Sequence, residues 1–333
     1  MININKVIIW GHELHNHTHS YIHNGFYIGF KYMGYDTYWF NRNGKNNLDD
    51  NIIDFENSLY ITHGLECENL PINKTSVYIS HNVEWIEISP GYKLPKNHNL
   101  NIINVKNGVE SSKIITLQVL NIDSNKNAEM YNEKKYYYAN KNIIYMPWAT
   151  DLLPYEIYEN IEKIENFKIK NISNFIGMPL EHNQILKNAL TKNNIKYANY
   201  GGTFDVNSNR NKSIKENMEL IQESIIAPAL QSQWQIDNHY IPCRIFKNIS
   251  YGKMGMTNSN AVNELFDNEL LYSKDIEELV NIGLDFEKRK DKNEIIKKLM
   301  INVAENHTYI NRITYILDVI KQFHNIEIQK QLK

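Results

Sequence analysis

Apolar runs of five to seven residues alternate with stretches of helical periodicity along this 333-residue chain. In the first half the runs are rich in β-branched and aromatic residues, which favour strands. The predicted strands there are residues 6–10, 35–40, 58–62, 75–80, 113–119 and 142–146. Between the first two runs lies an apolar stripe at helical spacing, on which Gly25 and Gly29 indicate close packing of a helix on the sheet. This alternation is typical of an α/β protein with largely parallel sheets.

The alternation pauses at residues 146–157, MPWATDLLPYEI, where two prolines interrupt it. It restarts with predicted strands at 171–177, 196–200, 225–230, 253–258 and 269–273 and predicted helices at 181–192, 213–224, 260–266, 275–285 and 292–325. A chain of this length fits two domains of about 150 residues each. We therefore predict two tandem Rossmann-like, doubly wound domains that face a cleft. The first comprises residues 1–160 and is joined by the C-terminal helix 305–328, because the apolar positions of that helix need a core; the second comprises residues 161–304.

Charge and composition restrict the class of protein. The formal net charge is −2, which argues against a general nucleic-acid binder, since such domains usually carry a basic excess. The first residues read as a strand instead of a signal peptide, and no run approaches the roughly 20 apolar residues of a membrane span. We therefore expect a cytoplasmic protein without a membrane span. The two cysteines, Cys67 and Cys243, lack the spacing of a zinc site, and no metal is predicted.

The segment 240–252, YIPCRIFKNISYG, predicts a short helix with two cations near its start. Arg244, Lys247, Asn248 and Tyr251 follow i, i+3, i+4, i+7 spacing and share one face, which we interpret as the exposed face. Cations near a helix N-terminus are mildly unfavourable unless an anion is present. A phosphate or diphosphate bound there would remove the conflict. The alternative is that both cations simply extend into solvent.

Other candidate ligand contacts lie where predicted strands lead into helices, which is where open α/β sheets bind ligands. Gly177 and Gly202 follow strands of the second half and would let a backbone approach a diphosphate closely, although plain tight turns explain them nearly as well. Trp234 and Tyr240 could stack on a nucleotide base, although large aromatic residues are more often core. The further candidates for nucleotide or sugar binding are Thr203, Asn248, Ser259 and Asn260.

A histidine-rich loop, GHELHNHTHS, follows the first predicted strand at residues 11–20. Its alternating histidines, His15, His17 and His19, could face one way in an extended segment and hold a metal, but no cysteine partner lies nearby. We favour a general base or an acceptor contact, because a histidine near pKa 6.5 accepts a proton at neutral pH. His17 and His19, nearest the helix start, are the predicted catalytic residues. The predicted acceptor-side residues are His12, His15, His81 and Glu84. Incidental structural histidines are the alternative.

Residues 227–284 resemble the donor-binding half of GT-B glycosyltransferases of the "glycosyl transferases group 1" family. The usual pattern P-x-R-x-F-E-A-x-x-x-G corresponds to residues 242–252, and the chain then shows ELF at 264–266 and D-x-x-E-L at 275–279. The opening residues 11–40 are similar to the first βαβ unit of that fold. MPWATDLLP is similar to its interdomain crossing.

One departure from that family concerns two glutamates separated by seven residues, whose positions are taken here by His239 and Lys247. The ribose contact of the second glutamate is therefore not carried over, and a retaining reaction is not implied. Residues 240–248 are also similar to the motif Y-x-T-E-K-x-W-R-N of α-1,3-fucosyltransferases. In that comparison Arg244 takes the place of the lysine that meets the donor diphosphate.

The resemblance implies a hexosyl- or deoxyhexosyltransferase of glycan biosynthesis. Such an enzyme would move a sugar from a nucleotide-diphosphate sugar to a glycan, lipid-linked or protein acceptor. Because GT-B enzymes as a class neutralise the diphosphate with protein groups, the resemblance implies no metal and no cofactor besides the nucleotide-sugar co-substrate, with Arg244 and Lys247 on the diphosphate. The alternatives are a catalytically silent nucleotide- or sugar-binding protein of the same fold and a sugar-nucleotide epimerase that acts without an acceptor.

Overall fold

The computed structural model describes residues 3–41, 44, 54–63, 70–81, 114–118, 130–131, 136–141, 143–179, 181–202 and 212–331. Two compact units make up the chain: unit 1 is Met1–Pro147 with Tyr309–Lys333, and unit 2 is Trp148–Thr308. The C-terminal segment of the chain therefore lies in the same unit as the N-terminal segment.

The elements of the described residues are named in chain order. The strands are β1 Asn3–Ile4, β2 Lys6–Trp10, β3 Thr37–Phe40, β4 Ser58–His63, β5 Val77–His81, β6 Ile114–Gln118, β7 Met130–Tyr131, β8 Tyr138–Ala139, β9 Ile143–Tyr145, β10 Ile172–Ile176, β11 Lys196–Tyr200, β12 Met256–Thr257, β13 Leu271–Tyr272 and β14 Glu327–Ile328. The helices are α1 Thr18–Tyr32, α2 Pro154–Lys163, α3 Asn183–Lys192, α4 Ile214–Glu223, α5 Gln233–Asp237, α6 Cys243–Ser250, α7 Asn260–Leu265, α8 Ile276–Glu287, α9 Lys292–Asn306 and α10 Tyr309–His324.

Unit 1 is built on an eight-stranded sheet of order β3-β2-β4-β5-β6-β9-β8-β7. From β3 to β9 the strands are parallel, and β8 and β7 extend the sheet antiparallel at one edge. Strands β2, β4 and β5 are buried along their whole length, as expected for parallel strands covered on both faces. All six predicted strands of the first half are confirmed. β1, β7, β8 and β14 were not predicted, because two residues are too few to show a period.

The two glycines of α1 face the last helix of the chain. A β-carbon added to Gly25 would lie 2.2 Å from Tyr309 Cε2, and one added to Gly29 would lie 2.7 Å from Ile313 Cδ1. The Phe26 and Tyr309 rings meet edge to face with 5.0 Å between centroids. The prediction that these glycines serve helix–sheet packing is therefore wrong, since they allow α1 and α10 to approach closely.

Unit 2 contains two parallel strand pairs, β10 with β11 and β12 with β13. Residues 225–230 connect them: Ile225 N donates to Ile172 O at 2.8 Å, and Ala229 N donates to Met256 O at 2.9 Å. This segment was predicted as a strand and is irregular instead, because Pro228 has no N–H to donate to a regular ladder. The apolar core of the unit packs α3 and α8 on these strands.

The helices of unit 2 begin where the sequence supplies caps. The side chains of Ser213, Ser232 and Asp275 each accept a hydrogen bond from the backbone N–H three residues later. The predicted helices 181–192, 213–224, 260–266 and 275–285 are confirmed to within two residues at each end. The predicted tail helix 292–325 is divided at residues 307–308 into α9 and α10.

We expect Gly25→Ala to lower the free energy of unfolding by about 1–3 kcal/mol, because the added methyl group overpacks the contact with Tyr309. The loss should appear although alanine is the better helix former. Chemical unfolding followed by circular dichroism measures it. Gly202→Ala is the control, since a β-carbon there would meet no atom within 4 Å. Equal stability of the two variants would contradict the packing role of Gly25.

Candidate active site

In unit 2, the guanidinium of Arg244 lies at the carboxyl edge of the strands. Arg244 Nε donates to Ile176 O at 3.2 Å, and Nη1 donates to Leu230 O at 2.8 Å. The guanidinium also stacks over the Phe175 ring, with 4.2 Å from Cζ to the ring centroid. Ile176 ends β10 and Leu230 ends the segment 225–230. These contacts fix a positive charge at the edge where open α/β sheets bind their ligands.

Two glycines beside Arg244 permit this arrangement. Gly177 has φ +130°, and a β-carbon on it would lie 2.6 Å from Arg244 Nη2. Gly201 has φ +125°, and a β-carbon on it would lie 2.8 Å from Gly177 O. Gly177 N donates to Tyr200 O at 2.8 Å, so this amide hydrogen is already bonded within unit 2. Gly202 borders open space, whereas Gly177 and Gly201 let two strand ends and a guanidinium pack together.

The second cation of α6 has a different environment. Lys247 Nζ forms an ion pair with Asp151 Oδ2 at 2.7 Å, and the side chain of Asp151 is only 6% exposed. Tyr251 donates its hydroxyl hydrogen to Asp151 Oδ1 at 2.7 Å. Burial and the neighbouring carboxylate raise the pKa of Tyr251 well above its usual value, which keeps this hydroxyl protonated. Asp151 thus neutralises Lys247 within unit 2.

The sequence predicts four exposed residues on one face of α6, and this prediction is wrong for three of them. Lys247 is paired as described, Tyr251 is buried, and Asn248 is buried with Nδ2 donating to Ala227 O at 2.9 Å. These contacts account for Lys247 and Asn248 without a ligand. Arg244 is the residue of that face whose charge is held at the strand ends.

The aromatic candidates of unit 2 lie together. The rings of Trp234 and Tyr240 are 6.0 Å apart between centroids, and the Tyr240 hydroxyl accepts a hydrogen bond from Trp148 Nε1 at 3.0 Å. Trp234 is 45% exposed, so one of its faces is accessible for stacking. Ser259 is buried before α7, and Asn260 is exposed at its first position. Thr203 and Glu84 lie outside the described residues.

In unit 1, six imidazoles gather at the carboxyl edge of the sheet. We call these residues the histidine cluster: His12, His17, His19, His23, His63 and His81. His63 and His81 are the last residues of β4 and β5 and pair in register, so their rings lie 5.0 Å apart between centroids. The ring of His19 lies 4.1 Å from that of His63 and 5.1 Å from that of His81.

The first helix supplies the rest of this arrangement. His17 is the N-cap of α1, and its Nδ1 accepts a hydrogen bond from His19 N at 3.3 Å. His19 and His23 are four residues apart and share one face of the helix. His23 Nε2 lies 2.9 Å from His81 Nε2, and a single hydrogen joins two rings at that distance. His12 follows β2 and stacks on His17 at 4.1 Å.

Burial favours the neutral form of four of these imidazoles, those of His19, His23, His63 and His81. Desolvation, followed by the neighbouring histidines, lowers the pKa of His19, His63 and His81 well below 6.5 and lowers that of His23 to about 3. Neutral imidazoles can accept a proton or bind a metal ion.

The sequence placed His12, His17, His19 and His81 among the candidates, and the structure brings these four together. His15 lies apart, with φ +73° and Nδ1 3.2 Å from the Tyr21 hydroxyl oxygen, so the expectation that alternating histidines face one way is wrong for it. Sequence reasoning missed His23 and His63. Their signal was available, because His63 directly follows a predicted strand and His23 lies one helical turn after His19.

Comparison with known proteins gives matches to a family model and to solved structures of glycosyltransferases. A family model described as "Glycosyl transferase-like" matches residues 182–318. Comparison with curated protein sequences gave no match. Among solved structures, an alpha-glucosyltransferase in complex with UDP and a 13-mer DNA containing a central A:G mismatch is 10% identical, with TM-score 0.53 over 96% of this chain and 100% of that chain.

An alpha-glucosyltransferase in complex with UDP-glucose and DNA containing an abasic site is 9% identical, with TM-score 0.53 over 96% of this chain and 100% of that chain. A complex with UDP and a 13-mer DNA containing an HMU base is 10% identical, with TM-score 0.50 over the same shares. The fold is the GT-B fold of glycosyltransferases, and residues 182–318 are similar to the glycosyltransferase-like family model. In the part of the chain described above, no helix is long and apolar enough to cross a membrane.

We expect Lys247→Met to lower the free energy of unfolding by about 3–5 kcal/mol, because it leaves the carboxylate of Asp151 buried and unpaired. Adding Asp151→Asn should recover part of the loss. Lys163→Met removes an exposed ion pair with Glu159 and should cost less than about 1 kcal/mol. Denaturant unfolding of the three variants measures these differences. A loss no larger in Lys247→Met than in Lys163→Met would show that the buried pair is not structural.

Proposed function

We propose that this protein transfers a hexose from a uridine-diphosphate sugar to a hydroxyl acceptor. The observation that carries the proposal is the guanidinium of Arg244, fixed by two carbonyl oxygens at the carboxyl edge of unit 2. Arg244 lies within the residues that match the glycosyltransferase-like family model. The UDP and UDP-glucose in the fold relatives support UDP-glucose as the first donor to test.

Sugar transfer requires stabilisation of the leaving diphosphate. The bond between the anomeric carbon and the β-phosphate oxygen breaks, the acceptor oxygen bonds to that carbon, and the nucleoside diphosphate leaves with the bonding electrons. Arg244 is preorganised for this charge because its hydrogen bonds and its stacking on Phe175 already fix the guanidinium plane. Arginine also suits phosphate through paired N–H donors. The exposed face of Trp234 is the proposed contact for the base.

For an inverting path, the proton of the acceptor hydroxyl needs a base. We assign it to His17 or His19 of unit 1, as expected from the sequence. Burial lowers the pKa of His19 well below 6.5, which weakens it as a base. His17 would accept the proton on Nδ1 by releasing its 3.3 Å contact with His19 N. Protein groups instead of a metal ion neutralise the diphosphate in this proposal.

Two acceptor classes are open to test. The first is a glycan, lipid-linked or protein hydroxyl, as implied by the resemblance in sequence. The second is DNA, and the specific observation favouring it is that the fold relatives are complexes with DNA, one of which contains an HMU base. The net charge of −2 favours the first class, since DNA binding usually requires a basic excess.

We expect Arg244→Ala to lower kcat for sugar transfer by about 10²- to 10³-fold, the scale of a lost electrostatic stabiliser. UDP release and transfer of labelled glucose, with glycan and hydroxymethylated DNA acceptors in parallel, measure it. Arg289→Ala, which removes an exposed ion pair with Asp291, should keep the wild-type rate.

Three results would contradict the proposed function. If Arg244→Ala turns over as fast as Arg289→Ala, the guanidinium does not stabilise the leaving group. If UDP stabilises the protein but no acceptor or water receives the sugar, the chain is a silent binding protein. If the donor sugar is isomerised without an acceptor, the chain is an epimerase.

A further inference from the structure

Three members of the histidine cluster converge on one point in unit 1. Each of His19, His63 and His81 offers a ring nitrogen, and the three nitrogens lie within 4.8 Å of one another. They come from the start of α1 and from the ends of β4 and β5. His63 and His81 are buried, and His19 is partly exposed.

The kind of ligand follows from the donor atoms. Imidazole nitrogens suit zinc, copper, iron and nickel ions, whereas magnesium and calcium require oxygen ligands. With Zn–N bonds of about 2.0–2.1 Å, two nitrogens on a tetrahedral ion lie about 3.3 Å apart. The three side chains therefore need only small rotations to reach one ion. Three histidines with a fourth position for water form a recurrent zinc site.

The surroundings support such a site. His23 Nε2 lies 2.9 Å from His81 Nε2, so a neighbouring ring orients His81, as outer groups commonly do for metal-binding histidines. The sheet topology contributes as well: β3 and β4 lie on opposite sides of β2, and ligands collect at such a reversal of strand order. His12 follows β2 and His63 ends β4, on the two sides of this switch point.

We infer that His19, His63 and His81 bind one divalent transition-metal ion of the zinc class, with the fourth position open to water. This site differs from the sequence-based expectation of no metal. It does not depend on the proposed sugar transfer, since all three ligands lie in unit 1.

A second trio is the competing location within the same cluster. The ring nitrogens of His12, His17 and His19 also lie within 4.8 Å of one another, and all three residues are partly exposed. The buried trio is favoured because the strands β4 and β5 hold two of its ligands in fixed register. Substitution of His12 separates the two locations.

The test uses the full chain without a polyhistidine tag, stripped with a chelator and titrated with Co²⁺ and Zn²⁺. We expect one equivalent of Co²⁺ per chain, with the visible absorption of a tetrahedral or five-coordinate ion that Zn²⁺ displaces. His63→Leu and His81→Leu should weaken Co²⁺ binding by at least 100-fold. His23→Leu should weaken it by about 10- to 100-fold, the scale of a lost orienting contact. His12→Ala and His15→Ala should bind as the wild type does.

Several results would overturn the inference. Binding of less than one-tenth of an equivalent by the wild type would exclude the site. Loss of binding in His12→Ala with full binding in His63→Leu would move the ion to the exposed trio. Equal binding by wild type and all cluster variants would indicate an ion elsewhere. Circular dichroism without metal shows whether the buried substitutions prevent folding. If they do, His19→Ala still tests the site, because it changes a partly exposed ligand.

Discussion

The carboxyl ends of parallel strands lie at one edge of their sheet. The positions of the histidine cluster in unit 1 and of Arg244 in unit 2 both depend on this constraint. In unit 1 the in-register pairing of β4 with β5 places His63 beside His81, although 17 residues of sequence separate them. In unit 2 the end of β10 and the end of the segment 225–230 supply the two carbonyl oxygens that hold Arg244. The backbone thus fixes the positions of both groups of candidate residues.

The two cations of α6 show how similar sequence signals can have different physical meanings. Arg244 and Lys247 lie one turn apart, and from the sequence both are candidates for an anion. Asp151 lies almost a hundred residues earlier in the chain, so the pattern of α6 could not reveal that Lys247 would be neutralised by it. The guanidinium of Arg244 instead donates to two carbonyl oxygens at the strand ends. Partners that are distant in the sequence therefore give the two cations different environments.

Much of the fold was predictable because its elements are local. Continuous apolar runs marked the long strands, and side-chain caps such as Ser213 and Asp275 marked helix starts. The sequence did not reveal that Gly25 faces Tyr309, or that His23 and His63 join the histidine cluster, since these contacts depend on which strands and helices become neighbours. Pro228 is visible in the sequence, but its effect on the predicted strand 225–230 depends on the backbone hydrogen bonds of this segment to β10 and β12.

The central claim is that Arg244 binds the donor diphosphate. A crystal structure of the chain with UDP tests it most directly. We predict a β-phosphate oxygen at about 2.7–2.9 Å from a terminal nitrogen of the Arg244 guanidinium, with the carbonyl contacts to Ile176 and Leu230 kept. UDP bound with its diphosphate on other residues, and Arg244 in contact only with the two carbonyls, would contradict it.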